Sequence, residues 1–231
     1  YVTQPLIQAE SARQSRELLS EAMLVAGAPL KSGLLYVDKR AGREVALSVV
    51  NGNKGAARLT FNLLTVTGER LKETRRVAGN SQLSLRMADL FPGRSTLQGA
   101  LSVSANRAVS MSALLEIADG RRNVLLSPAP LVGEGETQTD LMQSRRVLPV
   151  LTTGAGQEVS TVLLNPSKEV MTGQIEISGQ APVSYSVEPG GVFVHTLPAD
   201  GRPLLRGRGI IRASQGTAPS AYAVVASSRR D

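Results

Sequence analysis

The sequence predicts an all-β chain, built as two β-sandwich domains in tandem behind an N-terminal arm. Three observations carry this. Short apolar or alternating runs are separated by Gly, Asn and Pro turns roughly every 8–12 residues, the spacing of a sandwich rather than of βαβ units. Blocks of sequence return in the same order at an offset of about 114 and then about 110 residues. The 231 residues are 42% hydrophobic and 19% charged, which allows packed cores and excludes general disorder.

Residues 1–33 read as an arm or linker. Ala9 to Ala26 is rich in helix formers, and Leu18, Leu19, Ala22 and Met23 would share a short apolar face. This predicts a short helix over 9–26, stopped by Gly27 and Pro29, with an extended arm as the competing reading. The first sandwich is expected over 34–126. Its strands are read at Leu34–Val37, Val45–Val50, Arg58–Val66, Arg70–Val77, Gln82–Leu85, Ala100–Ser104 and Ser110–Leu115. Asn51-Gly52-Asn53-Lys54-Gly55 is a turn, because Asn and Gly tolerate positive φ. Lys72, Glu73, Arg75 and Arg76 mark Arg70–Val77 as an exposed edge. Ala88 to Gly93 reads as one helical turn ended by Pro92 and Gly93. Residues 127–146 are expected as a linker: Ser127-Pro128-Ala129-Pro130 is stiff, and Gly133 to Asp140 is polar and acidic. The second sandwich is expected over 147–231.

The repeat is specific in three places. Gly42-Arg43-Glu44-Val45, followed by Asn51-Gly52, returns as Gly156-Gln157-Glu158-Val159, followed by Asn165-Pro166. Val77-Ala78-Gly79 returns as Val187 to Gly191, and Gly99 to Ser104 returns as Gly209 to Ser214. Each copy is long enough to be a domain.

These turns carry a resemblance. Val162-Leu163-Leu164-Asn165-Pro166-Ser167, then Val187-Glu188-Pro189-Gly190-Gly191, with Leu90-Phe91-Pro92-Gly93 in the first copy, resemble the tandem Ig-like β-sandwich repeats of large secreted or cell-surface bacterial proteins. The first copy departs at Asn51-Gly52, where the Pro is missing. The resemblance covers about residues 34–228. It implies an Ig-like fold, an extracellular or cell-surface location and a structural or adhesion role, and it supplies no catalytic residue.

Composition removes several chemistries. With no Cys there are no disulfides and no thiolate metal sites. The single histidine, His195, excludes a multi-His metal centre. Aromatics are 3% with no Trp, which argues against stacking platforms for nucleic acid or sugar. No apolar run reaches membrane-spanning length. The start at Tyr1, with no Met and no signal peptide, predicts a processed form or an excised piece.

Candidate chemistry is sparse. His195 shares a strand face with Phe193, as a general base, a pH switch or a half-buried strand histidine. Glu44 and Glu158 occupy one repeat position, where each could pair with an Arg or hold a cation. Glu134, Glu136 and Asp140 could hold Ca²⁺ loosely in the linker. Gly190-Gly191 and Gly207-Arg208-Gly209 are turn or bulge signals, since neither leads into a helix with Lys-Ser or Lys-Thr. The net charge is +7, from 21 Arg and 5 Lys against 19 acids, with the Arg residues scattered. The densest basic stretch holds Arg202, Arg206, Arg208 and Arg212. Alternation places Arg206, Arg208 and Arg212 on one face, as contacts for an acidic partner.

The expected function is a non-catalytic structural or adhesion module of a larger secreted or cell-surface bacterial protein, with a protein or surface-glycan partner and no cofactor, metal or nucleic acid. Two alternatives are a filament or surface-assembly subunit that self-associates through residues 1–33, and a carbohydrate-binding module contacting sugar through Tyr36, Tyr185 and Tyr222.

Overall fold

The computed structural model describes residues 6–10, 18–23, 28–118, 124–133, 144–201 and 203–227. The chain is all-β, in several antiparallel sheets. It divides into two compact units, Tyr1–Glu134 and Gly135–Asp231. Among the described residues no helix is long and apolar enough to cross a membrane.

The first unit opens with β1 (Leu6–Glu10) and β2 (Leu18–Met23), which pair antiparallel with each other. This corrects the helix expected over 9–26: its described parts are strand. Helix propensities differ by only tenths of a kcal/mol per residue, and a short isolated helix is marginal in water. Strand pairing, with β2 alongside the later β9, overrides that weak preference. Residues 11–17 and 24–27 of that stretch lie outside the described residues.

Then follow β3 (Leu30–Lys39), β4 (Arg43–Asn51), β5 (Ala57–Thr65), β6 (Arg70–Val77), β7 (Ser81–Arg86), a single helical turn α1 (Met87–Leu90), the long β8 (Leu97–Ala118), β9 (Val124–Ala129) and β10 (Leu131–Gly133). β8 spans both halves of the unit. Its first half pairs with β3 and β5, giving the order β10-β3-β8-β5-β6. Its second half pairs with β4 and β9, giving β7-β4-β8-β9. Alternation decides what is buried. Leu59, Phe61 and Leu63 of β5, Val45, Leu47 and Val49 of β4, and Leu101, Val103, Met111 and Ala113 of β8 form the core. Each large side chain of this set stabilises by roughly 1.5–3 kcal/mol through burial. Among the described residues β6 is an edge strand bonded only to β5, with Arg70, Lys72 and Arg76 exposed along it.

The division between the units falls inside the 127–146 segment. Ser127-Pro128-Ala129 ends β9, Leu131–Gly133 is β10, and residues 134–143 lie outside the described residues.

The second unit contains β11 (Arg145–Thr153), β12 (Gln157–Leu164), β13 (Met171–Ile177), β14 (Val183–Val187), β15 (Val192–Leu197), β16 (Leu205–Ala213) and β17 (Ser220–Ser227). One sheet has the order β11-β16-β13-β14, the other β15-β12-β17. Both contribute to one core: Leu151, Ile175, Val187 and Ile211 from the first, Val159 and Leu163 from the second, with Phe193 and Leu197 packed against it. The strand orders of the two units correspond. β3-β8-β5-β6 has the order of β11-β16-β13-β14, and β7-β4-β8 has that of β15-β12-β17. Where β8 runs unbroken, the second unit has two strands separated by residues 214–219.

The repeated asparagines explain the repeated turns. Asn51 is fully buried, and its Nδ2 donates to the carbonyls of Gly55 (3.0 Å), Val77 (3.1 Å) and Ala78 (2.9 Å), while its Oδ1 accepts the Asn53 N–H. Asn165 repeats the device, donating to Glu169 O (2.7 Å) and Val187 O (2.8 Å) and accepting from Ser167 N (2.9 Å). One amide thus ties a loop to the end of a strand more than twenty residues away and satisfies the buried carbonyl of Val77 or Val187.

Candidate functional site

The expected basic face exists on β16. Arg206, Arg208 and Arg212 are exposed, and alternation turns them away from the core that Ile211 enters. Register adds a neighbour the sequence did not assign: Arg145 of β11 sits directly opposite Arg212, and Gln174 of β13 lies on its other side. Two cations facing each other across a ladder are destabilising. One carboxylate offsets this, with Glu176 Oε1 2.6 Å from Arg212 Nε. Arg145 Nε is buried with no hydrogen-bond partner among the described residues. Among the described residues no carboxylate pairs with Arg206 or Arg208. The Arg208 backbone is fixed by Ser178, whose N–H donates to Arg208 O (3.1 Å) and whose Oγ accepts from Arg208 N (3.2 Å). Arg202 lies outside the described residues.

Gly207-Arg208-Gly209 is not itself the bulge. The irregularity lies on the partner strand, between Leu148 and Leu151. The glycines make room on the inner face: a Cβ on Gly209 would come within 2.7 Å of Leu151 Cδ1, and one on Gly207 within 2.6 Å of Ser178 Cβ. The core side therefore takes two leucines while the outer side presents arginines.

The remaining candidates lie elsewhere in the fold. Glu44 Oε1 accepts the backbone N–H of Val45 (3.0 Å) and of Met87 (3.2 Å), so it secures the start of α1. Glu158 also has a partner. His195 is half-buried opposite Thr161 and turned to the same side as Phe193, which packs on the core. Gly190 takes φ +68° in the turn before β15. Among the described residues no group of three or more His, Cys, Asp or Glu could hold a metal. The acidic Glu134, Glu136 and Asp140 lie outside the described residues.

Two of the three tyrosines expected as sugar contacts are in the interior. Tyr36 is 6% exposed and Tyr185 is 4% exposed. Burial pushes the Tyr185 phenol up to about 12, and its hydroxyl donates to Arg212 O at 3.0 Å. Burial also raises the Tyr36 phenol; the Gln98 hydrogen bond (2.6 Å) opposes this and nearby Asp38 adds to it. Asp38, 3% exposed, is bound by Arg40 (2.5 Å) and Arg43 (2.8 Å). Tyr222 is half-buried on β17.

An open groove of about 390 Å³ lies over β4, β7 and β8. Ser48, Ser84 and Ser112 form one cross-strand row in it, and the Arg86–Glu116 pair (3.1 Å) lies beside them. Gln82 Nε2 donates to Ser48 Oγ at 2.8 Å, and the carboxylates of Asp89 and Glu116 line the same groove.

No family model matches this chain, and no curated protein matches it. Among solved structures it is similar to Thermotoga maritima 1070, with TM-score 0.38 and 11% identity over 44% of this chain and 94% of that one. It is similar to the CBM22-1-CBM22-2 tandem domain of Paenibacillus barcinonensis Xyn10C, with TM-score 0.24 and 13% identity over 98% of this chain and 84% of that one. It is also similar to Lactobacillus farciminis oxalate decarboxylase, with TM-score 0.23 and 9% identity over 97% of this chain and 86% of that one. Likeness at these scores carries no weight for ligand or activity.

Proposed function

We propose that this chain is a non-catalytic interaction module, two Ig-like sandwiches in tandem within a larger secreted or cell-surface bacterial protein, and that it engages an acidic surface polymer. The observation that carries this reading is the arginine row of β16. Arg206, Arg208 and Arg212 stand exposed on one outward face, Arg145 faces Arg212 in register, and Glu176 is the carboxylate paired there. An anion between Arg145 and Arg212 would relieve their repulsion and give the Arg145 Nε a partner.

The partner class follows from the same face. Arginine forks recognise carboxylate and sulfate through paired N–H donors, without aromatic stacking. With Tyr36 and Tyr185 buried, recognition of a neutral sugar by stacking loses two of its three contacts. A glycan array tests the reading. The expected result is signal on uronate- or sulfate-bearing glycans and none on neutral ones. Silence on every acidic glycan overturns the partner class, and turnover of any glycan overturns the non-catalytic reading.

A further inference from the structure

We propose that Glu176 decides which acidic polymers the β16 face accepts: it occupies Arg212 as an internal competitor, so that densely charged polymers bind and sparsely charged ones bind weakly. This rests on the reading of β16 as the polymer-binding face.

The sheet β11-β16-β13-β14 has a lopsided charge. Its four strands carry Arg145, Arg146, Arg206, Arg208 and Arg212, and Glu176 is the one acidic residue in them. The exposed positions near Glu176 on β13 and β14 are neutral: Thr172, Gln174, Ser184 and Ser186. Packing does not ask for a carboxylate there. Glu is a poor strand former, and the residue opposite Glu176 in register is Ile210. Stability does not ask for one either. The Glu176 and Arg212 side chains are 35% and 49% exposed, and a solvent-screened pair contributes little. What the carboxylate does is hold the Arg212 guanidinium, with Oε1 2.6 Å from Nε.

An anionic group arriving at Arg145 and Arg212 therefore meets a guanidinium that already has its carboxylate. It must displace Glu176 or sit beside a like charge, and either costs binding energy. A ligand with one charge has nothing to set against that cost. A polymer with closely spaced charges does, because Arg206 and Arg208 have no carboxylate among the described residues. Strand rise places Arg208 about 13 Å and Arg206 about 20 Å from Arg212. One polymer segment engages all three, and once one end is held the remaining contacts are intramolecular. Glu176 thus turns a general anion-binding face into one that responds to charge density.

Calorimetric titration of the intact chain at low salt tests this with two probes. One is polygalacturonate, the other polygalacturonate with most of its carboxylates methyl-esterified. The wild type is expected to bind the first and to bind the second much more weakly. Glu176→Gln keeps the shape and removes the charge. It is expected to tighten binding of the esterified polymer roughly fivefold and to narrow the gap between the probes. Glu73→Gln on β6 makes the same change in net charge at another ion pair, Glu73–Arg75 (2.7 Å), and is expected to leave the gap as it is. Far-UV circular dichroism checks each fold. Should E176Q fail to fold, Glu176→Thr, which favours strand, carries the same expectation. A folded variant that binds the esterified polymer no tighter than wild type overturns the proposal. So does weaker binding, which would make Glu176 a positioning residue for Arg212, and so does an equal gain in E73Q. Absence of binding by wild type and E176Q alike overturns the polymer-binding reading itself, and the proposal with it.

Discussion

At Asn165 one side chain does what the backbone around it cannot. Its amide serves the carbonyls of Glu169 and Val187, and its oxygen serves the Ser167 N–H, while the Asn165 side chain itself is fully buried. Removing it orphans these groups together, so Asn165→Ala is expected to cost about 3 kcal/mol in urea unfolding. Asn165→Asp separates hydrogen bonding from shape. A carboxylate there points at two carbonyl oxygens with nothing to donate, so its folded pKa rises above the ordinary value of about 3.9. The neutral acid is the better tolerated form. Stability of N165D is therefore expected to be highest below about pH 4 and to fall as pH rises, whereas N165A stays flat relative to wild type. Equal pH profiles for the two variants would show that the amide donor is not what matters. Tyr185 gives a second pH test. Its phenol lies near 12 against about 10 unfolded, so the folded state holds the proton longer, and stability falls as pH rises through that window. Tyr185→Phe should flatten this part of the profile, and tyrosinate absorbance should show Tyr185 titrating late. Gly173 completes this corner: a Cβ there would lie 2.6 Å from the Tyr185 hydroxyl and 1.8 Å from Arg212 O, so Gly173→Ala is expected to unfold the second unit. The asparagines were legible as turn residues, because Asn-Gly and Asn-Pro signal turns locally. Their clamp was not, since the carbonyls they hold belong to strands distant in sequence.

At the scale of elements, β8 and the β16–β17 pair are two versions of one path. β8 crosses from one half of its unit to the other without interruption, with Asn106 and Arg107 exposed at the crossing. The second unit makes the same crossing with residues 214–219 outside any strand. The crossing should therefore tolerate a loop. Inserting Ser-Gln-Gly-Thr-Ala-Pro between Asn106 and Arg107 is expected to leave the chain folded with a modest loss in Tm. The same insertion after Leu101, in a fully buried position between β3 and β5, should abolish folding. Comparable losses at both sites would contradict the equivalence. Strand positions in this unit were readable because period-2 alternation is a strong local signal; β5 and β6 show it throughout. The N-terminal segment misleads, because its Ala, Glu, Leu and Arg favour helix when taken one residue at a time, while pairing between β1 and β2 is non-local. The bulge opposite Gly207 and Gly209 was displaced onto the wrong strand for a related reason: glycine marks a close approach, and only the register shows which strand bends.

At the scale of the whole molecule, the two units share a strand order and differ in what they display. The first closes two of its sheet edges with β9 and β10, and its open β6 edge is charged. The second gathers arginines on the outward face of β16. Composition could show an excess of arginine but not its gathering. Arg145 and Arg212 are far apart in sequence and meet only through the β11–β16 register. That face is the one expected to bind anionic polymer. The direct measurement is calorimetric titration of the intact chain with polygalacturonate at about 0.05 M and about 1 M salt, where screening lengths differ several-fold. Binding at low salt is expected to vanish at high salt. The combined Arg206→Ala, Arg208→Ala, Arg212→Ala variant is expected to lose roughly tenfold or more in affinity, about 1.4 kcal/mol, while keeping its fold. No binding by the wild type at low salt, or equal affinity in the triple variant, would contradict the account.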